Sequence, residues 1–406
     1  MHPIIQTFTQ AETQLFVQAQ AHSPTQNLAL KYRNKYSFDL KIVASMLAIW
    51  KKMEAKLPFF REKQCLFTQK MYEQSTDQLV AQFKQSLVVK GESLLDLTAG
   101  AGVDAYFLAQ NFEQAHLLEQ DPTHFELLTH NFGLLGVTNA TFYENTAEAF
   151  LSQNLTPFSA IYIDPDRRVL VQKAVQLAHC SPNICALLPQ LLRLSPHIYL
   201  KTSPLIDLTA ACLELDQKVA QIWVIALQNE VKEILFELCS QTNAQPKVTA
   251  VNLSKSGEAH TFCTPKTAIA PPFATSAKYL YEPNASIIKA GLVPALATHF
   301  GLEMLHKNTA YLVSQCEQKD FFGRSFSVLH QLKYQPKHLV KQLKELDISQ
   351  ANIAARNFYD KPDELFKTLK LKPGGDVYLF FTTDYQKNAW CFVCRKSELT
   401  PPPHAA

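Results

Sequence analysis

Ser93-Leu94-Leu95-Asp96-Leu97-Thr98-Ala99-Gly100-Ala101-Gly102-Val103-Asp104 is the stretch on which the reading of this chain turns. A short apolar run ends in a carboxylate, a Gly-x-Gly turn follows, and a helical pattern begins over 103–110. The chain holds only 11 glycines in 406 residues, so two in one tight turn mark backbone that must approach something closely. Strand, glycine turn and helix together point free N–H groups and a positive helix end at a ligand.

Outward from that turn, apolar runs and helical patterns alternate. Strands are expected at 93–97, 115–119, 141–143, 160–164, 197–201, 221–227 and 247–253, with helices over 123–135 and 187–194. Such alternation predicts a doubly wound α/β domain with a mainly parallel sheet over 81–275. Residues 1–80 read as a helical domain, since Ile42, Val43, Met46, Leu47 and Trp50 fall on one helical face. Pro58 should stop or kink that helix. The proline-bearing segment 254–274 reads as a linker or peripheral hairpin, and two small α+β units follow over 276–318 and 319–398. Helices are expected over 285–300, 337–346 and 362–369, with a turn at Lys372-Pro373-Gly374-Gly375-Asp376. The tail 400–406, with three consecutive prolines, is expected to be disordered.

Composition narrows the class. With 47% hydrophobic and 18% charged residues, the chain can bury a large core and is not of the disordered type. No run of 18 apolar residues predicts a membrane helix, and the start lacks the charged and apolar regions of a secretion signal. Nine scattered cysteines, an odd number, predict reduced thiols and a cytoplasmic protein. Cys391-x-x-Cys394 lies in an expected strand, so its side chains should point to opposite faces and pack into cores. The 13 histidines have no metal-ligand spacing, and no metal is expected. Net charge is +3, but 319–372 holds eleven Lys/Arg against six Asp/Glu, a local excess of five. That excess suits either a solvated face or one that contacts phosphate.

Three further features carry chemistry. Asp104 lies in the first helical turn, where it either complements the helix dipole, worth about 0.3–1 kcal/mol, or contacts a ligand. Glu119 ends the second strand 17 residues after Gly102, near the offset of about 20 at which an acid reaches ribose hydroxyls. Ile161-Tyr162-Ile163-Asp164-Pro165-Asp166-Arg167-Arg168 brings charge to the carboxyl edge of the sheet. Arg167 and Arg168 suit a phosphate or carboxylate; alternatively Asp166 pairs with an arginine and Pro165 only ends the strand.

Asp-Leu-x-x-Gly-x-Gly, the strand-end Glu119 and Asp164-Pro165 resemble the series found in class I S-adenosylmethionine-dependent methyltransferases, especially those that modify nucleic acids. The chain most resembles a family of methyltransferases with a C-terminal THUMP-like domain. The likeness lies in Tyr72-Glu73-Gln74-Ser75-Thr76, 96–104, 163–168, Tyr279-Leu280-Tyr281-Glu282-Pro283, 351–359 and Gly374-Gly375-Asp376. This implies a Rossmann-like α/β methyltransferase domain with a helical N-terminal region and small α+β C-terminal domains, ferredoxin-like over 276–318 and THUMP-like over 319–398. The implied cofactor is S-adenosyl-L-methionine, held by Gln74, Asp96, Thr98, Gly100, Gly102, Asp104, Glu119, Asn145 and Thr146. In that reading Asp96 and the glycines face the methionine part, Glu119 the ribose, and Asn145 or Thr146 the adenine. Asp164 stands where donor and acceptor meet, with Arg167 and Arg168 binding phosphate. The implied partner is RNA, either tRNA or rRNA, with no membrane.

The departures limit the chemistry. Asp166 replaces the second proline of Asp-Pro-Pro-aromatic amino-methyltransferases, and no aromatic follows to stack a flipped base. Lys201-Thr202-Ser203-Pro204 stands where uridine-C5 enzymes need a cysteine nucleophile. Lys201, Ser203 and Asp207 are candidate acceptor-side groups, with a helix cap as the alternative for Asp207; Glu73-Gln74-Ser75-Thr76, ahead of the first strand, is a candidate cover for the cofactor, with a helix start capped by Ser75 or Thr76 as the alternative. Two other functions fit the same features: a small-metabolite methyltransferase with the C-terminal units as lid or dimer surface, and a non-catalytic RNA-binding protein that keeps cofactor affinity.

Overall fold

The computed structural model describes residues 1–20, 28–32, 35–154, 156–167, 176–241, 245–264 and 271–397. They divide into two compact units, one of Met1–Trp223, Lys232–Pro246 and Lys255–Ala259, the other of Val224–Val231, Lys247–Ser254 and His260–Ala406. Among the described residues, no helix is long and apolar enough to cross a membrane.

The first unit is built on Gly91–Asp96 (β1), Phe112–Glu119 (β2), Ala140–Glu144 (β3), Ala160–Ile163 (β4) and Ile198–Thr202 (β5). These five are parallel, with β1 between β2 and β4. Leu94, Leu95, Leu117, Leu118, Ile161 and Ile163 are fully buried, which is why these strands read as unbroken apolar runs: helices cover both faces. Val219–Leu227 (β6) and Glu230–Leu238 (β7) extend the sheet beyond β5, giving the stretch β6-β7-β5-β4-β1-β2-β3 within its nine strands. This is a doubly wound order whose last strand, antiparallel to β5, is inserted beside it.

Sequence reasoning missed β7. A two-residue hairpin is normally legible as Asn-Gly or a similar pair. Here Gln228 and Asn229 take the left-handed conformation themselves, at φ 51° and 66°, so no glycine announces the reversal.

The helical N-terminal region is not a separate body. Asp39 caps the helix Leu40–Lys56 by accepting the Lys41 N–H, and Pro58 opens the next helix, Pro58–Glu62, after the break at Leu57. Val43, Met46, Trp50 and Met53 share one core with Val103, Phe107 and Leu127 of the α/β domain. Asn131 fastens the two by accepting the Leu66 N–H (2.7 Å) and donating to the Leu66 carbonyl (2.8 Å).

In the second unit, Tyr279–Pro283 (β8), Glu303–Met304 (β9), Leu312–Ser314 (β10), Gly323–Lys333 (β11), Gln350–Ala355 (β12), Lys372–Thr383 (β13) and Ala389–Lys396 (β14) form one sheet, order β9-β10-β8-β11-β14-β13-β12. Strands from both expected α+β segments therefore share a sheet. Cys391 packs on one face with Leu339, Leu365 and Leu379, Cys394 on the other with Leu280, Tyr311 and Phe326. The expected turn at Lys372-Pro373-Gly374-Gly375-Asp376 lies instead inside β13. Gly374 and Gly375, at φ 102° and 81°, absorb a register slip against β12 between Ala351 and Asn352. The helix expected over 285–300 is two, Ala285–Lys289 and Val293–Phe300, interrupted at Gly291 (φ 70°). Buried Glu282, from the Tyr279–Pro283 motif, binds Arg324 and Arg356. The tail 400–406 lies outside the described residues.

Candidate functional site

At the carboxyl edge of β1, β2, β4 and β5 the first unit opens into a cleft of about 520 Å³, a volume in the range of small-molecule sites. Gln74, Asp96, Thr98, Gly100, Gly102, Asp104, Glu119, Asn145 and Asp164 line it; Thr146 does not.

The turn after β1 is held from three sides. Asp96 accepts the Thr98 N–H at 2.9 Å. The Thr98 hydroxyl accepts the Asp164 N–H at 2.7 Å, tying the turn to the end of β4. Glu119 accepts the Gly100 N–H (2.9 Å) on one oxygen and the Asp121 N–H (2.8 Å) on the other. Each carboxylate oxygen keeps a further lone pair for a ligand hydroxyl. Gly102, at φ 77°, has no room for a Cβ, which would lie 2.5 Å from Leu128 Cδ1 and 2.6 Å from Phe132 Cε2. Gly100, at φ 54°, has only the Thr98 carbonyl within 4 Å, at 3.8 Å, and is the glycine that borders open space.

Asp104 does more than complement a helix end. Its carboxylate contacts Lys84 Nζ (2.8 Å) and Lys201 Nζ (3.3 Å) and accepts the hydroxyls of Thr76 (2.7 Å) and Tyr162 (2.9 Å). Despite burial, the two ammonium groups and these hydrogen bonds hold its pKa well below the carboxylate range. Lys84, with 0% of its side chain exposed, also binds Glu233 (2.8 Å) and donates to the Tyr162 hydroxyl (3.1 Å). Lys201 donates to Asp164 Oδ2 at 2.5 Å and to Thr76 Oγ1 at 2.9 Å. Three carboxylates, Asp104, Asp164 and Glu233, thus face two ammonium groups. Burial raises the pKa of Glu233, and that of Asp96 to about 8, so Asp96 is neutral at pH 7. The cleft lining as a whole holds nine carboxyl side chains against three lysines, an anionic excess that remains with Asp96 and Glu233 protonated.

Lys84, Glu233, Tyr162 and the role of Thr76 were not found from the sequence. One signal was present: Lys84 shares the buried face of the helix Gln78–Leu87 with Val80 and Ala81, where a lysine survives only if paired. Glu233 lies on the missed β7.

The remaining expected residues divide. The Asn145 N–H donates to the Glu119 carbonyl (3.2 Å) beside the cleft. Thr146 instead caps the helix Ala147–Gln153, accepting the Ala149 N–H. Gln74 ends the helix Gln69–Gln74 at the cleft wall. Asp77, not Ser75 or Thr76, caps the helix Gln78–Leu87. Asp207 caps Leu208–Glu214 by accepting the Ala210 N–H (2.8 Å), while Ser203 lines the cleft. Asp164 is 38% exposed at the mouth. The Arg167 backbone pairs with Cys180; its side chain and all of Arg168 lie outside the described residues.

Comparison with known proteins gives concordant matches. Residues 279–321 match a ferredoxin-like domain family and residues 323–396 a THUMP domain-like family. Relatives from two strains of Mycobacterium tuberculosis, both described as uncharacterized S-adenosylmethionine-dependent methyltransferases, are 25% identical over 338 residues, covering 82% of this chain and 90% of theirs. A crystal structure of a "putative methyltransferase" from Porphyromonas gingivalis W83 superposes with a TM-score of 0.82 at 26% identity, covering 95% of this chain and 97% of that one.

Proposed function

We propose that this chain, a class I S-adenosylmethionine-dependent methyltransferase with a THUMP-like C-terminal domain, methylates RNA. When bound, the cofactor supplies a methyl group on a positively charged sulfur. One observation carries the fit: nine carboxyl side chains and only three lysines line the glycine-turn cleft, and a cation is what such a balance favours.

In this reading Gly100 admits the methionine part to the backbone, with Asp96, Thr98, Gly102 and Asp104 setting the turn around it. Glu119 receives the ribose hydroxyls on its unused lone pairs, and Asn145 borders the adenine. Gln74 covers the site. Thr146 acts through the helix cap beside Asn145. Asp164 orients the acceptor and takes up its proton, with Arg167 and Arg168 contacting phosphate.

RNA is favoured as acceptor by two features of the second unit. Its 323–396 segment matches a family named for its likeness to THUMP domains, and the local excess of five positive charges over 319–372 suits a polyanion. Incubation of the full chain with methyl-tritiated cofactor and total RNA from a strain lacking the gene tests this. Label should enter RNA, and RNA binding should weaken as salt rises. Label confined to small molecules, with no salt-dependent RNA binding, would refute the RNA reading and favour a metabolite enzyme.

A further inference from the structure

The proposed reaction leaves the acceptor atom open, and the charged array at the cleft bears on it. Resting on the RNA reading above, we infer that the acceptor is a hydroxyl oxygen, a ribose 2′-hydroxyl, whose proton passes to Asp164 while Lys201 stabilises the oxygen that loses it.

A hydroxyl is a poor nucleophile until its proton leaves, so methylating it calls for a base and a cation at one point. Asp164 and Lys201 supply that pair in direct contact, at the ends of adjacent strands β4 and β5. Both line the cleft. The surrounding carboxylates hold Lys201 well above the ordinary lysine range, so it is an ammonium and the base must be Asp164. The Lys201 protons go to Asp164, Thr76 and Asp104. As Asp164 gains a proton its claim on the ammonium weakens, freeing a donor for the developing oxyanion.

The array below keeps that ammonium charged and fixed. Lys84 and Glu233 support Asp104 from beneath, and Asp104 in turn holds Lys201. Taking so many ions out of water is unfavourable, and a purely structural core would be built from apolar residues instead. A base acceptor fits less well. Among the described residues lining the cleft, the rings are His124 and Tyr162. Tyr162 is 1% exposed and tied to Asp104 and Lys84, so it offers no face to stack a flipped base.

The step balances. The O–H bond breaks as its proton moves to Asp164, an oxygen lone pair forms the bond to the methyl carbon, and the electrons of the broken S–C bond stay on sulfur. The products are a methyl ether, a thioether and one proton, which Asp164 releases to water.

Labelled RNA from the full-chain reaction is hydrolysed in alkali, because a 2′-O-methyl group protects the adjacent phosphodiester. Label in alkali-stable dinucleotides is the expected result. Label in mononucleotides alone would mean base methylation, overturning this inference while leaving the RNA reading intact. Absence of label in any RNA overturns the RNA reading, and this inference with it. Lys201→Met should slow single-turnover transfer about 100-fold or more while leaving the Kd for S-adenosylhomocysteine within about threefold, with part of the rate restored in Lys201→Arg. Full activity in Lys201→Met refutes the assignment. If that variant does not fold, Asp164→Asn takes its place: a wild-type rate with folded protein is equally refuting.

Discussion

Glu119→Gln separates the two jobs assigned to the acid at the end of β2. In the folded chain both carboxylate oxygens accept backbone N–H groups, from Gly100 at 2.9 Å and Asp121 at 2.8 Å. A carboxamide of the same shape has one oxygen, so its NH2 must face one of these donors. One charge-assisted hydrogen bond is lost, worth about 1.5–3 kcal/mol, and one donor is left facing another. If the lone pairs of Glu119 also receive ribose hydroxyls, that loss falls on the bound complex as well. At about 1.4 kcal/mol per tenfold, the Kd for S-adenosylmethionine should rise by about 10- to 150-fold. Titration calorimetry with S-adenosylmethionine and S-adenosylhomocysteine measures it, and a thermal melt of the free protein reports the turn alone. Both ligands should weaken in parallel, because both carry the ribose. A Kd within about twofold of the parent for both, in a variant whose melting temperature has fallen, would mean that Glu119 is spent wholly on the backbone and the ribose assignment is wrong.

Two other substitutions read the same turn. Gly102→Ala sets a Cβ against Leu128 and Phe132 at φ 77° and should lose about 2–4 kcal/mol in urea unfolding, whereas Gly100→Ala, with open space around it, should lose about 1–2 kcal/mol; equal losses would remove the packing argument. Asp96 keeps its proton in the folded state up to about pH 8, against an ordinary value of 3.8. Its contribution to stability is therefore complete below about pH 4 and drains away as the pH rises to about 8. Asp96→Asn, which keeps an oxygen for the Thr98 N–H, should gain on the parent steadily between pH 5 and pH 8 in urea midpoints; a pH-independent difference would show that Asp96 is ionised in the fold.

The sequence was most readable where one local rule governs. Unbroken apolar runs placed β4 and β5 to within a residue and found the buried carboxyl halves of β1 and β2, whose partly exposed starts at 91–92 and 112–114 they missed. Asp96, the two glycines and Glu119 were legible because a tight turn and a fixed offset leave few alternatives. What stayed hidden depends on residues distant in the chain. Lys84 meets Glu233 across 149 positions, and Thr76 meets Asp104 across 28; neither spacing carries a local signature. β7 escaped because Gln228 and Asn229 adopt a conformation that glycine would have announced. Thr146 was read as a ligand-side group and Asp207 as an acceptor-side group or a cap, and both cap helices; a short polar side chain before a helix carries the same letters either way.

The shared core of the N-terminal helices has a consequence for how the molecule comes into being. Residues 1–80 leave the ribosome before residues 103–127, so Val43, Met46, Trp50 and Met53 at first have only side chains of their own region, such as Phe16, Phe60 and Phe67, to pack against. Three further members of that core, Val103, Phe107 and Leu127, are synthesised later, and at about 5–20 residues per second they arrive some seconds behind. During that interval the core of the N-terminal helices is incomplete, and it is filled only when the helix after the glycine turn, and the one beyond it, are laid down on it. The setting of the glycine turn and the completion of that core are thus parts of a single folding event.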